Sequence, residues 1–375
     1  MLVAPDSFKG SLNAREAAEA LAEGIREARP SARIDPCPMA DGGEGTLDVL
    51  LAAHRGRRRR VAAHTPDGRP RDADVGLIDQ ASTAVVELAA IAGLPLVRAE
   101  QRDPLRLTTH GVGELIAAVF DAQVERLILT VGGSATVDGG AGIAQALGVR
   151  LFDSAGRALP SPLPPARLTE AARIDASAMI DRRAGVDVTI AVDVLNPLLG
   201  PHGAAAVFGP QKGADAEGVR RLEAALAHWV GVLERASGRA LRHEPGTGAA
   251  GGAALPLLAF AGASIVPGVD LVIDAVRLRD RLAATDLVLT GEGRLDEQSL
   301  MGKVVGAVAR LSRAAGVRCV AIVGALGSGH DQVARLFDEV VVLAQPGERI
   351  EAAMREARER LRRAAAGAVG ERPPG

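Results

Sequence analysis

With 375 residues, the chain exceeds the roughly 250–300 at which a single hydrophobic core stops growing, so two domains are expected. Its 44 basic and 46 acidic side chains nearly cancel, and six Phe, one Trp and no Tyr leave few rings for stacking bases; both facts argue against nucleic acid or an anionic membrane as partner. Apolar residues make up 47% of the sequence, enough for a sizeable core. Cys37 and Cys319, each in or beside an apolar run, read as buried thiols of a reducing cytoplasm rather than a disulfide or a metal pair.

The first apolar run reaches Pro5 and meets Asp6 too soon for a signal-peptide core. A polar connection, "PDSFKGS", then leads to a helix announced by Asn13 with Glu16 three positions on, a capping-box spacing, and ended by Pro30. "ARIDPCPM" reads as a second short strand, followed by "ADGGEGT" and another helix. From Arg55 onward the grammar changes: "RGRRRRVAAHTPDGRPRDADVGLI" alternates and turns at Pro66-Asp67-Gly68, like a solvated antiparallel hairpin. The uncharged stretch from Pro245 to Val269 holds six glycines and three prolines, which predicts loop, buried helix and loop rather than a membrane span. After it, "DLVLT", "VRCVAIVG" and "EVVVLA" each lead into a loop or helix, restoring the opening β-loop-α pattern.

Two such units at the front and three at the back give the five strands of a flavodoxin-like, doubly wound parallel α/β sheet. The expected organisation is residues 1–60 plus 285–370 as that domain, 61–284 as a second, inserted α/β domain, and 371–375 as a tail. In a sheet of this order the first and third strands flank the point where the topology reverses, and ligands bind at their carboxyl ends. That accounts for the polarity of "PDSFKGS", which follows the first strand, and of "TGEGRLD", which follows the third.

Glycine-rich polar segments interrupt the apolar pattern at 5–11, 39–46, 131–140, 193–214, 246–252 and 290–303. Where such loops enter helices they present N–H groups to phosphate or carboxylate. Lysine occurs only three times, as Lys9, Lys212 and Lys303, each in such a loop, in a chain that otherwise uses arginine. A compact ammonium retained there suggests neutralisation of phosphate or carboxylate, with the three converging on an interdomain cleft. Acids recur in the same loops, at Asp6, Asp41, Glu44, Asp138, Asp193, Glu292 and Asp296. No Walker A motif, HExxH, zinc spacing or G-x-S-x-G occurs, and "GTGAAG" lacks the preceding strand that a dinucleotide fingerprint requires. Lysines for phosphate, acids for Mg2+ and an acid to accept a hydroxyl proton describe phosphoryl transfer without a P-loop.

The segments "APDSFKGSL", "MADGGEGT", "VGGSATVDGG", "DVLNPLLG…FGPQKGA", "GTGAAGG" and "TGEGRLDEQSLMGK" resemble, in order and spacing, those of the bacterial glycerate kinase family, non-P-loop enzymes that phosphorylate D-glycerate. The resemblance covers nearly the whole chain and implies ATP and Mg2+ as cofactors, D-glycerate as the small-molecule substrate and 2-phosphoglycerate as product. Alternatives are a glycerate 3-kinase on the same scaffold and a catalytically silent sugar-acid or nucleotide sensor. Val137, Val112 and Val305 depart from the family's usual Asn, Thr and Pro.

The expected catalytic residues are Asp193, as general base at the carboxyl end of "VTIAV", with Lys9 and Asp6. Ser7, Lys212, Asn196, Asp41 and Thr109 are expected at the substrate. Gly132, Gly133, Ser134, Gly291, Gly293 and Lys303 are expected at the phosphates, and Glu292 and Asp296 at the metal. Nucleic acid and membrane are not expected partners; the oligomeric state is left open, a homodimer included.

Overall fold

The computed structural model describes residues 1–300, 303–345 and 347–370; the expected tail at 371–375 lies outside them. The chain divides into two units. The first takes Met1–Asp41, Asp48–Ala53 and the chain from Gly268 on; the second takes Gly42–Leu47 and His54–Pro267.

In the first unit, Leu2–Val3 lies between Asp35–Pro36 and Leu287–Leu295, with Arg318–Leu326 and Glu339–Val342 continuing outward. Every pairing is parallel, with Leu2 opposite Val288 and Val3 opposite Leu289. Counted within this unit, the order is 2-1-3-4-5, the flavodoxin-like arrangement. The inner strands are buried on both faces, which is why Leu2–Val3, residues 287–289 and residues 319–323 are apolar without alternation. Val3, Leu289, Val320 and Ile322 pack with Leu21 and Ile25 of the helix Ala14–Ala28 and Leu361 of the helix Ala357–Val369. Leu2, Val288, Ala321 and Val323 pack on the other face with Val304 and Val308 of the helix Val304–Ala314. The capping box at Asn13 forms as read: its Oδ1 accepts from Glu16 N at 2.9 Å, and Glu16 Oε2 accepts from Asn13 N at 2.9 Å.

The second unit is built on a six-stranded sheet in the order Ser264–Pro267, Asp187–Val192, Arg126–Thr130, Thr83–Glu87, Pro70–Ile78, Arg57–His64. The first four strands are mutually parallel and the last two are antiparallel. Arg57–His64 and Pro70–Ile78 are the hairpin read from the sequence, and Arg57 to Arg60 are exposed. Trp229, fully buried on the helix Ala216–Ser237, donates from its indole to Gly139 O at 2.8 Å.

The expected unit boundaries need correcting at both ends. His54 to Arg60 belong to the second unit, because Arg57 to Arg60 pair with Asp74 to Leu77. Gly268 to Ala284 belong to the first, because Val269, Val272, Ile273 and Leu278 are buried in its core. The uncharged stretch also contains a strand, Ser264–Pro267, where a loop was expected. Val112, Val137 and Val305 are fully buried apolar core positions.

Candidate active site

In the first unit the polar connection after Leu2–Val3 is fixed from both sides: Asp6 N donates to Gly291 O at 2.8 Å, and Met39 N donates to Pro5 O at 2.9 Å. These bonds set Asp6, Ser7 and Lys9 at the carboxyl ends of the strands. A cavity of about 320 Å³ opens there, and Asp6, Lys9, Asp41, Glu292, Asp296 and Lys303 all line it, together with Ser7 and Gly293. The site therefore gathers eight of the sequence-predicted residues in one place.

Its acids crowd one another. Asp6 is buried; loss of water and the nearby Asp41 push its pKa up to about 8 against a bond of 2.6 Å from Ser7 N and the charge of Lys9. Glu292 is pushed up to about 7, chiefly by burial, although it accepts a bond from the Ser299 hydroxyl and faces the charge of Lys303. Asp296 turns its Oδ1 to Gln298 N at 3.0 Å. Packed acids that resist ionising together favour a cation among them.

The expectation for "TGEGRLD" is corrected. It is not a loop: the strand runs on to Leu295, with Leu295 opposite Leu326. Gly291 serves this pairing, since a Cβ there would lie 2.1 Å from Ile322 O. Gly293 lines the cavity.

In the second unit Asp193 follows the strand Asp187–Val192 directly, and the adjacent strand Arg126–Thr130 leads into "VGGSATVDGG". Lys212 is buried and reaches into that segment, donating to Ser134 Oγ at 2.7 Å and to Thr136 O at 2.8 Å. Burial drives its pKa down to about 7, against the opposing pull of Asp193 and Asp138. The packing is tight: a Cβ on Gly132 would lie 2.5 Å from Gly43 Cα and 3.0 Å from Asp193 Oδ2.

Two of the groups expected at ligands have partners within the protein here. The helix Ala141–Ala146 does not present its N-terminal amides to a phosphate, because Asp138 occupies them, accepting from Gly140 N at 3.0 Å and Gly142 N at 3.1 Å. Thr109 is fully buried and donates to the same carboxylate from its N–H and its hydroxyl, both at 2.8 Å, so it anchors Asp138. Burial raises the Asp138 pKa, and these four donors oppose the rise. Gly132 N is likewise used internally, donating to Gly42 O at 3.3 Å. Gly133 is exposed, with φ +77°. Asn196 donates from its side-chain amide to His202 O at 2.8 Å, which fixes the turn after Asp193.

Sequence reasoning missed Glu87. It ends the strand Thr83–Glu87 and accepts from Gly45 N at 3.1 Å and Leu47 N at 3.0 Å, tying down the loop Gly42–Leu47. The signal was available: Glu87 is the lone acid in the run "TAVVELAAIA".

A doubly wound α/β scaffold with lysines and crowded acids at its strand ends, and no P-loop, is that of a non-P-loop small-molecule kinase. The sequence profile of the Glycerate kinase family matches residues 1–370. Glycerate kinase of Bacillus subtilis is 43% identical over 335 residues, 89% of this chain and 87% of that one. Glycerate 2-kinase of Escherichia coli is 40% identical over 326 residues, 87% of this chain and 85% of that one. A crystal structure from Salmonella typhimurium LT2, provisionally assigned as glycerate kinase 2, superposes with a TM-score of 0.82 at 40% identity, covering 98% of this chain and 96% of that one. The chain belongs to the glycerate kinase family and is a kinase. Among the described residues no helix is long and apolar enough to cross a membrane.

Proposed function

We propose that the protein transfers the γ-phosphoryl group of ATP to the 2-hydroxyl of D-glycerate, giving 2-phosphoglycerate and ADP. The observation that carries this reading is the buried ammonium of Lys212, held by Ser134 and Thr136, with Asp193 at the end of a buried strand near enough for its charge to favour the protonated form. The relative named glycerate 2-kinase supports the choice of hydroxyl.

Asp193 accepts the hydroxyl proton as the glycerate oxygen attacks phosphorus. Lys212 sets a positive charge against the substrate carboxylate; in its desolvated surroundings that attraction is stronger than in water. Asn196 and Glu87 act as positioning residues, one holding the turn after Asp193 and the other the loop Gly42–Leu47. In the first unit Lys9 and Lys303 balance the phosphate charge, and Ser7, Asp6 and Asp41 shape the polar end of the cavity.

Among the described residues no three His, Cys, Asp or Glu side chains form a complete metal cage. Mg2+ does not require one: it binds through one or two carboxylates and completes its shell with water and phosphate oxygens. Glu292 and Asp296 fit that donor set, and their crowding with Asp41 leaves negative charge to be balanced. When bound, Mg2+ draws charge from the phosphate oxygens. Two buried free cysteines suit a reducing compartment, which supports a cytoplasmic location.

The test is an ADP-release assay with D-glycerate and Mg-ATP, followed by phosphorus NMR of the product. A phosphorus signal split by one carbon-bound proton supports 2-phosphoglycerate. A signal split by two overturns the choice of hydroxyl, and absence of ADP release overturns the reaction.

A further inference from the structure

The cavity of the first unit has a second, chemically different end. Beyond the acids, the lysines, Ser7, Ser11 and Arg294, one stretch of its wall is made by Leu343, Ala344, Ile350, Ala353, Met354 and Ala357, none of which carries a polar side-chain group. Leu343 and Ala344 follow the strand Glu339–Val342; Ile350, Ala353 and Met354 lie on the helix Ile350–Arg355, and Ala357 starts the next helix. Ile350, 58% exposed, lies on this apolar stretch of the wall. Glycerate, with its carboxylate and two hydroxyls, has nothing to bury against such a wall. A nucleoside triphosphate matches both ends.

The sheet fixes which way round it lies. Asp6 and Lys9 follow the first strand, and Glu292 and Gly293 lie on the third, so the polar end sits where the strand order reverses. Gly324, Ala325, Leu343 and Ala344 belong to or follow the two outer strands, so the apolar end extends toward the sheet edge. Doubly wound sheets take the phosphates of nucleotides at the reversal point, beyond the carboxyl ends of the strands. The volume of about 320 Å³ lies within the usual range for a small-molecule site.

From this geometry we infer that the first unit is the nucleotide site, with the phosphates at Lys9 and Lys303 and the purine base against the wall of Leu343, Ile350, Ala353 and Met354. The inference rests on the proposed ATP-dependent reaction and assigns its nucleotide to one cavity.

The test measures ADP and inorganic tripolyphosphate binding to the full chain by calorimetry, together with KM for ATP and for D-glycerate. Ala353→Trp fills the apolar end. It is expected to weaken ADP about tenfold or more and to raise KM for ATP in parallel, with tripolyphosphate affinity and KM for glycerate within about twofold of wild type. Ile350→Asp, at an exposed position, guards against loss of folding; it is expected to weaken ADP by about fivefold, again sparing tripolyphosphate. Unchanged ADP binding in both variants overturns the inference. So does an equal loss for ADP and tripolyphosphate, or a rise in KM for glycerate with KM for ATP unchanged. A wild-type protein that shows the expected ADP pattern but leaves D-glycerate unphosphorylated overturns the proposed reaction and leaves the nucleotide site standing.

Discussion

Lys212 Nζ stands 2.7 Å from Ser134 Oγ, so the second unit's single lysine is committed to the segment that follows the strand Arg126–Thr130. A buried ammonium held this way costs stability. Its pKa falls from 10.5 to about 7, so between those values the unfolded chain binds more protons than the folded one, and stability rises with pH. The penalty is complete below pH 7 and fades as pH climbs toward 10.5. Lys212→Met should therefore be more stable than wild type at pH 6.5 by ~1–3 kcal/mol, with the advantage shrinking by pH 9.5. The same variant should lose ~10³-fold or more in kcat/KM. Lys212→Arg should not restore activity, because the planar fork does not fit a site built around one ammonium. Urea unfolding at the two pH values, beside steady-state kinetics, checks all three.

Thr109→Val tests the reassignment of that residue from substrate to framework. It removes a hydroxyl that donates to Asp138 and accepts from Ile143 N at 3.1 Å. The expected outcome is a loss of ~1–3 kcal/mol, seen as a lower Tm, with KM for glycerate unchanged. A raised KM at an unchanged Tm would return Thr109 to the substrate.

Much of this was legible because local signals and the global fold agreed. The Asn13–Glu16 cap, the turn at Asp67-Gly68 and the apolar runs that become the inner strands each carry their own information. The failures share a cause: they depend on partners remote in sequence. Nothing within "TGEGRLD" says that it continues a strand; that depends on pairing with Arg318–Leu326. Gly268 to Ala284 look like the end of the insertion until Val269 and Ile273 find their core. An acid in a glycine loop reads as ligand-facing, yet Asp138 is engaged by the N–H and hydroxyl of Thr109, remote from it in sequence. The site residues that the structure gathers are those whose chemistry had no local use: lysines kept in an arginine-rich chain, and acids at strand ends.

Gly132→Ala should act through Asp193. The added Cβ would press on Gly43 Cα at 2.5 Å and on Asp193 Oδ2 at 3.0 Å, and the backbone contact cannot yield by a rotamer change. A displacement approaching 1 Å at the proposed base is expected to lower kcat ~10²-fold. Glycerate KM should move less than kcat. Steady-state kinetics read this directly, and an alanine variant with wild-type kcat would show that Asp193 is not held by this contact.

Asp193→Asn tests the proposed base itself. The amide keeps the shape of the side chain and its place after the strand Asp187–Val192, but it cannot take up a hydroxyl proton. If Asp193 is the base, kcat falls ~10²–10⁴-fold while Tm changes little. If Asp193 serves only the turn at Asn196-Pro197, the loss is ~1 kcal/mol of stability with modest loss of rate. The substitution also removes a negative charge beside Lys212, one of the two that favour its protonated form. The Lys212 pKa should then fall further below 7, so the residual activity should fade with rising pH earlier than wild-type activity does. A pH profile of kcat/KM for the variant checks this coupling to Lys212, and kcat measured beside Tm separates the two roles.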